Sequence, residues 1–113
     1  MKHLSTHVLD LARGKPAADV PVRLEKQDAS GTWQPIASAS TDHDGRCGQL
    51  LSAEESSPGT YRLVFDTGSY FRATNTAGLY PVVEVTFEVR DSDSRFHIPL
   101  LLSPNGYTTY RGS

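Results

Sequence analysis

The sequence predicts an all-β protein, a two-sheet antiparallel β-sandwich with one short helix. Three observations carry this. Apolar and polar residues alternate with period two in several runs, turn residues recur at short intervals between them, and one segment breaks the alternation with a helix-start signal. With 113 residues the chain fits a single core, so one domain over residues 1–113 is expected. No internal repeat, low-complexity tract or linker interrupts it.

The first element, "STHVLDLARGKP", is open to two readings. Leu4, Val8 and Leu11 suit a helix that Gly14 and Pro16 would stop. On a helix His3 and His7 would share a face and could grip a metal, whereas on a strand they stand about 13 Å apart at roughly 3.3 Å per residue. The strand is preferred, because the neighbouring elements are strands and a sheet needs strand partners.

"VPVRLEKQ" sets Val20, Val22 and Leu24 against Arg23, Glu25 and Gln27, with Pro21 marking a strand start or an edge. "DASG" (Asp28 to Gly31) reads as a hairpin turn into "TWQPIASAST", and "SSPG" (Ser56 to Gly59) as the turn before "TYRLVF", whose Tyr61, Leu63 and Phe65 share a face. "DTGSYFRATN" lacks alternation and fits a short helix with Ser69 as its N-cap. In "VVEVTFEVR", Val83, Val85, Phe87 and Val89 alternate with Glu84, Thr86, Glu88 and Arg90, the pattern of a half-buried strand.

"RFHIPLLLS", "PNG" and "YTTYRGS" read as a C-terminal hairpin turning at Pro104-Asn105-Gly106. Phe96, Ile98, Leu100 and Leu102 then share the core face, and His97, Pro99 and Leu101 the other. That second face is too apolar for open solvent and is expected to cover a subunit interface or a pocket. If the first strand joins the same sheet, His7, His97 and Tyr110 meet on this face and the final Arg-Gly-Ser reaches it. A few polar groups inside apolar surface are the usual make-up of a small-molecule pocket.

Composition excludes several classes. A formal net charge of −2 and a pI near 6.0 offer no cationic footprint for nucleic acid. The lone Cys47 cannot close an internal disulfide and reads as a small packing residue. The N-terminus lacks the uninterrupted apolar run of a signal peptide, no segment is long enough for a bilayer, and the ending is not of the peroxisomal type. A cytoplasmic location with no membrane partner is expected.

Four stretches, "LSTHVLD" (Leu4 to Asp10), "TDHDGR" (Thr41 to Arg46), "LYPVVEVTF" (Leu79 to Phe87) and "FHIPLLLSPNGYTTYRGS" (Phe96 to Ser113), together resemble the 5-hydroxyisourate hydrolases, transthyretin-related enzymes of purine breakdown. The resemblance covers nearly the whole chain. It implies a homotetramer, a dimer of dimers of transthyretin-like sandwiches, with active sites in the channel where the dimers meet. It also implies hydrolytic ring opening of 5-hydroxyisourate, the product of urate oxidation, without a metal or other cofactor. The implied functional positions are His7, Arg46, His97, Tyr110, Arg111, Gly112 and Ser113. The family commonly has Asn where this chain has Asp42. Plasma transthyretin, a hormone carrier of the same fold, lacks these histidines and the Tyr-Arg-Gly-Ser ending.

Ring opening needs water to attack an amide-like carbonyl, hence a base for water and a site for an oxyanion. His7 and His97 are expected to move the proton, either being the base. Arg46 and Arg111 are expected to hold the electron-rich heterocycle, with Tyr110 and His7 also on substrate, and Ser113 to position water or substrate by hydroxyl or carboxylate. Taken singly, each residue has a structural reading: an interface histidine, a solvated turn arginine, a frayed tail. Asp10 could orient a neighbour or simply close a turn, and His3 and His43 read as surface residues. The rivals are a zinc hydrolase, a noncatalytic carrier of small aromatic ligands, and a monomeric β-sandwich binding module.

Overall fold

The computed structural model describes residues 3–48, 50, 57–91 and 95–113. Among these residues, nine strands and one helix follow in the order β1 (His3–Asp10), β2 (Lys15–Pro16), β3 (Pro21–Gln27), β4 (Trp33–Ser40), β5 (Arg46–Cys47), β6 (Gly59–Phe65), α1 (Thr67–Ala73), β7 (Val83–Val89), β8 (Arg95–Ser103) and β9 (Gly106–Thr109). One sheet runs β2-β1-β8-β9 with β5 also on β1, and the other runs β4-β3-β6-β7. The predicted β-sandwich with one helix is what forms. Its second sheet is antiparallel throughout, but β1 and β8 pair in parallel, from His3 opposite Arg95 to Asp10 opposite Leu102. Strands so distant in sequence need no hairpin, so nothing local dictates their direction.

The core lies between the inner faces that alternation marked out. Val22 and Leu24 of β3, Tyr61, Leu63 and Phe65 of β6, and Leu100 and Leu102 of β8 are buried. Val64 is buried too, although its parity is outward. On β1 the strand reading holds: Leu4, Thr6, Val8 and Asp10 point inward and His3, Ser5, His7 and Leu9 outward. At roughly 25 cal/mol per Å², burying one such Leu or Val stabilises the fold by about 1.5–3 kcal/mol.

The helix begins one turn earlier than expected. Asp66, not Ser69, is the N-cap, its carboxylate accepting from Ser69 N–H at 3.0 Å and Ser69 Oγ at 2.6 Å. Asp66 thus satisfies an otherwise orphaned N–H of the first turn, and α1 buries Tyr70 and Phe71 against the core. The DASG turn closes as predicted, Asp28 accepting from Ser30 and Thr32 N–H. Ser56 of the SSPG turn lies outside the described residues, and Gly59 already belongs to β6. The C-terminal hairpin is tighter than the predicted Pro-Asn-Gly loop, since Gly106 pairs with Ser103 and only Pro104 and Asn105 turn. Among the described residues no helix is long and apolar enough to cross a membrane.

Candidate active site

β1 is the strand on which the site is built. Its outward face carries Ser5 and His7, and the parallel register sets Ser5 beside His97 and His7 beside Pro99 of β8. On its other edge β5 pairs antiparallel with β1, placing Arg46 opposite His7. Residues opposite one another across a ladder share a face at about 4.5–5.5 Å between Cα atoms, so His7 has Arg46 as its direct neighbour.

The DGR turn aims Arg46. Asp42 accepts from Asp44 and Arg46 N–H at 2.9 Å each, and Gly45 N–H closes on the Asp42 carbonyl at 2.9 Å. The Arg46 amide foremost, with the Asp44 amide, holds the Asp42 carboxyl below its ordinary range. Gly45 sits at φ +76°, where a Cβ would approach the Val8 carbonyl oxygen to 2.4 Å. That carbonyl lies on β1 one residue past His7, so only glycine lets the turn pack against the strand carrying the histidine.

The tail completes the cleft from the opposite side. β9 ends at Thr109, yet the register that pairs Leu100 with Thr109 also brings His97 opposite Gly112. Pro99 stands in the gap; it has no N–H to give, and its carbonyl accepts from Thr109 Oγ1 at 2.8 Å. The chain rejoins at Gly112, whose N–H donates to the His97 carbonyl at 2.6 Å. A Cβ at position 112 would lie 2.6 Å from His97 Cδ2. Gly112 is therefore pressed against the imidazole, and Ser113 follows directly beside it.

His7, Arg46, His97 and Ser113 line one open cleft of about 440 Å³, together with Ser5 and Arg95. Its described side chains include the guanidinium groups of Arg46 and Arg95 and no carboxylate side chain, a balance that suits an anionic or electron-rich ligand of small-molecule size. Burial, then the charges of His7 and Arg46, push the His97 imidazole below its ordinary value of 6.5. At neutral pH it is an uncharged base. His97 Nδ1 meets Ser5 Oγ at 2.9 Å, and His7 Nε2 meets the Asp44 carbonyl at 2.8 Å. A carbonyl only accepts, so His7 carries a proton on Nε2. Two imidazoles, a guanidinium and a hydroxyl on one cleft can hold an anion, move a proton to or from water and stabilise a developing oxyanion.

Tyr110 and Arg111 do not join this cleft in the single chain. They line a separate groove of about 430 Å³ at the open edge between the sheets, with Val85, Phe87 and Phe96. Arg111 stacks its guanidinium 4.8 Å from the Phe96 ring centroid and donates to the Arg95 carbonyl at 3.1 Å. Alternation explains Arg111, which falls opposite Ile98 on the core-facing side. Asp10 is buried and structural: it accepts from Tyr70 Oη at 2.6 Å and from Arg13 N–H at 3.0 Å. Cys47 is buried on β5, its thiol pushed up by burial. His3 and His43 are exposed. Asp42, His43 and Asp44 bring potential ligand atoms within 4.8 Å of one another, all exposed, but the Asp42 carboxylate is already engaged by the turn amides.

Ser5 and the Asp44 carbonyl were not singled out from the sequence. Ser5 has the same strand parity as His3 and His7, a signal that would have placed it on their face; its pairing with His97 depends on a ladder between strands 92 positions apart.

Residues 4–112 match the model of the HIUase/Transthyretin family. A 5-hydroxyisourate hydrolase from Mus musculus is 46% identical over 97% of this chain and 94% of its own. Among solved structures, the 5-hydroxyisourate hydrolase of Klebsiella pneumoniae superposes with a TM-score of 0.87 at 33% identity, covering 100% of both chains. Sea bream transthyretin in complex with thyroxine superposes with a TM-score of 0.92 at 32% identity, covering 96% of this chain and 93% of its own. On the match of sequence, fold and length, the chain belongs to the HIUase/transthyretin family.

Proposed function

We infer that this protein, as one domain over residues 1–113, hydrolyses 5-hydroxyisourate to 2-oxo-4-hydroxy-4-carboxy-5-ureidoimidazoline in urate breakdown. The observation that carries the reading is the convergence of His7, Arg46, His97 and Ser113 on one cleft, in a chain similar to 5-hydroxyisourate hydrolases along its length. Two solvent-facing imidazoles, an arginine and a mobile-proton hydroxyl in one cleft suit hydrolysis better than passive storage of a hydrophobic ligand.

His97, kept neutral by burial and by its cationic neighbours, takes the proton from water as the oxygen attacks the ring carbonyl. The electron pair of that carbonyl moves onto its oxygen, where Arg46 offsets the charge. Collapse of the tetrahedral intermediate breaks the C–N bond, and the proton passes to the departing ring nitrogen. His7, oriented by the Asp44 carbonyl, presents Nδ1 to the substrate, and Ser113 positions water or substrate. Arg111 orders the tail through Phe96 and the Arg95 carbonyl, and in this reading it and Tyr110 bear on substrate by fixing the wall that carries Ser113. No step calls for a metal or other cofactor.

The assembly we propose is a homotetramer, cytoplasmic, with neither nucleic acid nor membrane as partner. It is supported by the edge positions of β7 and β9 among the described strands, edges of the kind that pair with another chain, and by the exposed Leu11, Leu79 and Tyr107. Light scattering should give four chains per particle. Mixing the protein with freshly made 5-hydroxyisourate should accelerate ring opening far above the spontaneous rate. No acceleration would sink the reading in favour of a carrier, and loss of activity on chelation with recovery on zinc would overturn the metal-free mechanism.

A further inference from the structure

We propose that Ser5 is a positioning residue for His97: its hydroxyl accepts a hydrogen bond from Nδ1–H and leaves Nε2, with its lone pair, as the ring nitrogen open to the cleft. The proposal deepens the hydrolase reading above and, for its bearing on turnover, rests on it.

His97 is held at several points. Its backbone carbonyl receives Gly112 N–H at 2.6 Å, its Cδ2 edge has no room for a Cβ at 112, and its Nδ1 lies 2.9 Å from Ser5 Oγ. Ser5 is placed by the ladder itself, as the residue of β1 opposite His97 on β8. Its neighbour Thr6 anchors the same pairing from the inner face, donating Oγ1 to the Ile98 carbonyl at 2.6 Å. Two consecutive hydroxyl residues thus act on opposite faces of one strand, Thr6 on the β8 backbone and Ser5 on the His97 ring. Among the described residues nothing else bonds to Nδ1, and no partner occupies Nε2.

A hydroxyl in this place does what a carboxylate could not. It fixes the ring and, being neutral, leaves the imidazole uncharged, whereas an anion there would stabilise the imidazolium. When Nε2 takes a proton, the same Oγ still accepts from Nδ1–H, so no bond is lost between the two states of the base. The charged or titratable groups lining the cleft are His3, His7, Arg46, Cys47, Arg95 and the closing Ser113; of these, His7 and Arg46 oppose protonation of His97, after burial.

The test uses the intact protein labelled with ¹⁵N-histidine; the chain has four histidines, and His97→Gln identifies the His97 signals. The wild type should show Nδ1–H and a bare Nε2 at neutral pH. Ser5→Ala should mix the two tautomers and lower kcat about tenfold or more, the scale of one lost orienting hydrogen bond, with KM little changed. Ser5→Thr should restore both, and Ser5→Asp should raise the His97 pKa. A wild-type ring protonated on Nε2, or a Ser5→Ala variant with unchanged His97 shifts, overturns the proposal. Normal His97 coupling to Ser5 in a protein that does not accelerate ring opening would sink the hydrolase reading and leave the Ser5 contact standing.

Discussion

Gly112 rests against the ring of His97: its N–H donates to the His97 carbonyl at 2.6 Å, and a Cβ in its place would come within 2.6 Å of Cδ2. The glycine of the Tyr-Arg-Gly-Ser ending is thereby a contact requirement. Any side chain must push the tail off the imidazole or turn the ring. Gly112→Ala should therefore lower kcat/KM by roughly ten- to a hundredfold, the cost of ångström-scale misplacement. The melting temperature should stay within a few degrees, since the tail contributes little to the core. Steady-state kinetics beside a thermal melt measure both; unchanged kinetics would detach the tail from the site.

Gly45→Ala should act on both stability and activity. The left-handed backbone at φ +76° and the 2.4 Å approach to the Val8 carbonyl together should cost about 2 kcal/mol or more. Because the displaced turn carries Arg46 and the Asp44 carbonyl that holds His7, activity should fall further than the loss of folded protein explains. Urea unfolding and kinetics at matched folded fractions separate the two effects.

The pH dependence has a definite sign. His97 is shifted down by burial first and by His7 and Arg46 next, so the acidic limb of kcat/KM should lie below the ordinary imidazole value of 6.5. Its contribution to folding follows the same direction. Above the unfolded value both states hold the ring neutral and the stability is retained; it declines as pH falls through the lowered folded value. Arg46→Gln should move the His97 titration upward, followed by its Cε1 proton signal. A downward move would contradict the placement of Arg46 on the cleft it shares with His97.

Truncations divide the tail into two parts. Removing Gly112 and Ser113 should abolish most hydrolysis and leave the melting temperature nearly unchanged. Removing Tyr110 to Ser113 should also uncover Phe96, which Arg111 covers at 4.8 Å, and lower stability by about 0.5–1 kcal/mol, the scale of an exposed cation–π contact. Equal stability of the two truncations would show that the Arg111–Phe96 contact contributes nothing.

Alternation alone made much of the fold legible. The inner faces of β6, β7, β8 and the first half of β3 follow the period-two pattern, with Val64 and Pro99 buried on the outer side against it, and the turns at Asp28 and Asp42 announce themselves by their Asp and Gly. These are local matters: a side chain's face follows from its neighbours' faces, and a turn from the backbone freedom of a few consecutive residues. The helix cap lies three residues before the expected Ser69: both residues are good caps, and Asp66 is the one whose carboxylate reaches forward to the first-turn Ser69 N–H.

What alternation could assign to the site was membership of a face: His7 on the outer side of β1 and His97 on the outer side of β8. Which outward residues become neighbours is a question of register and direction, and the parallel β1–β8 ladder answers it by setting Ser5, not His7, opposite His97. The same ladder arithmetic sends Arg111 toward Phe96 and returns Gly112 to His97. Composition and period determine faces because they act over a few residues; pairing between segments some ninety positions apart is settled by the packing of the whole sandwich, where one register buries Leu4, Val8, Leu100 and Leu102 together and a slip of one residue would turn them outward.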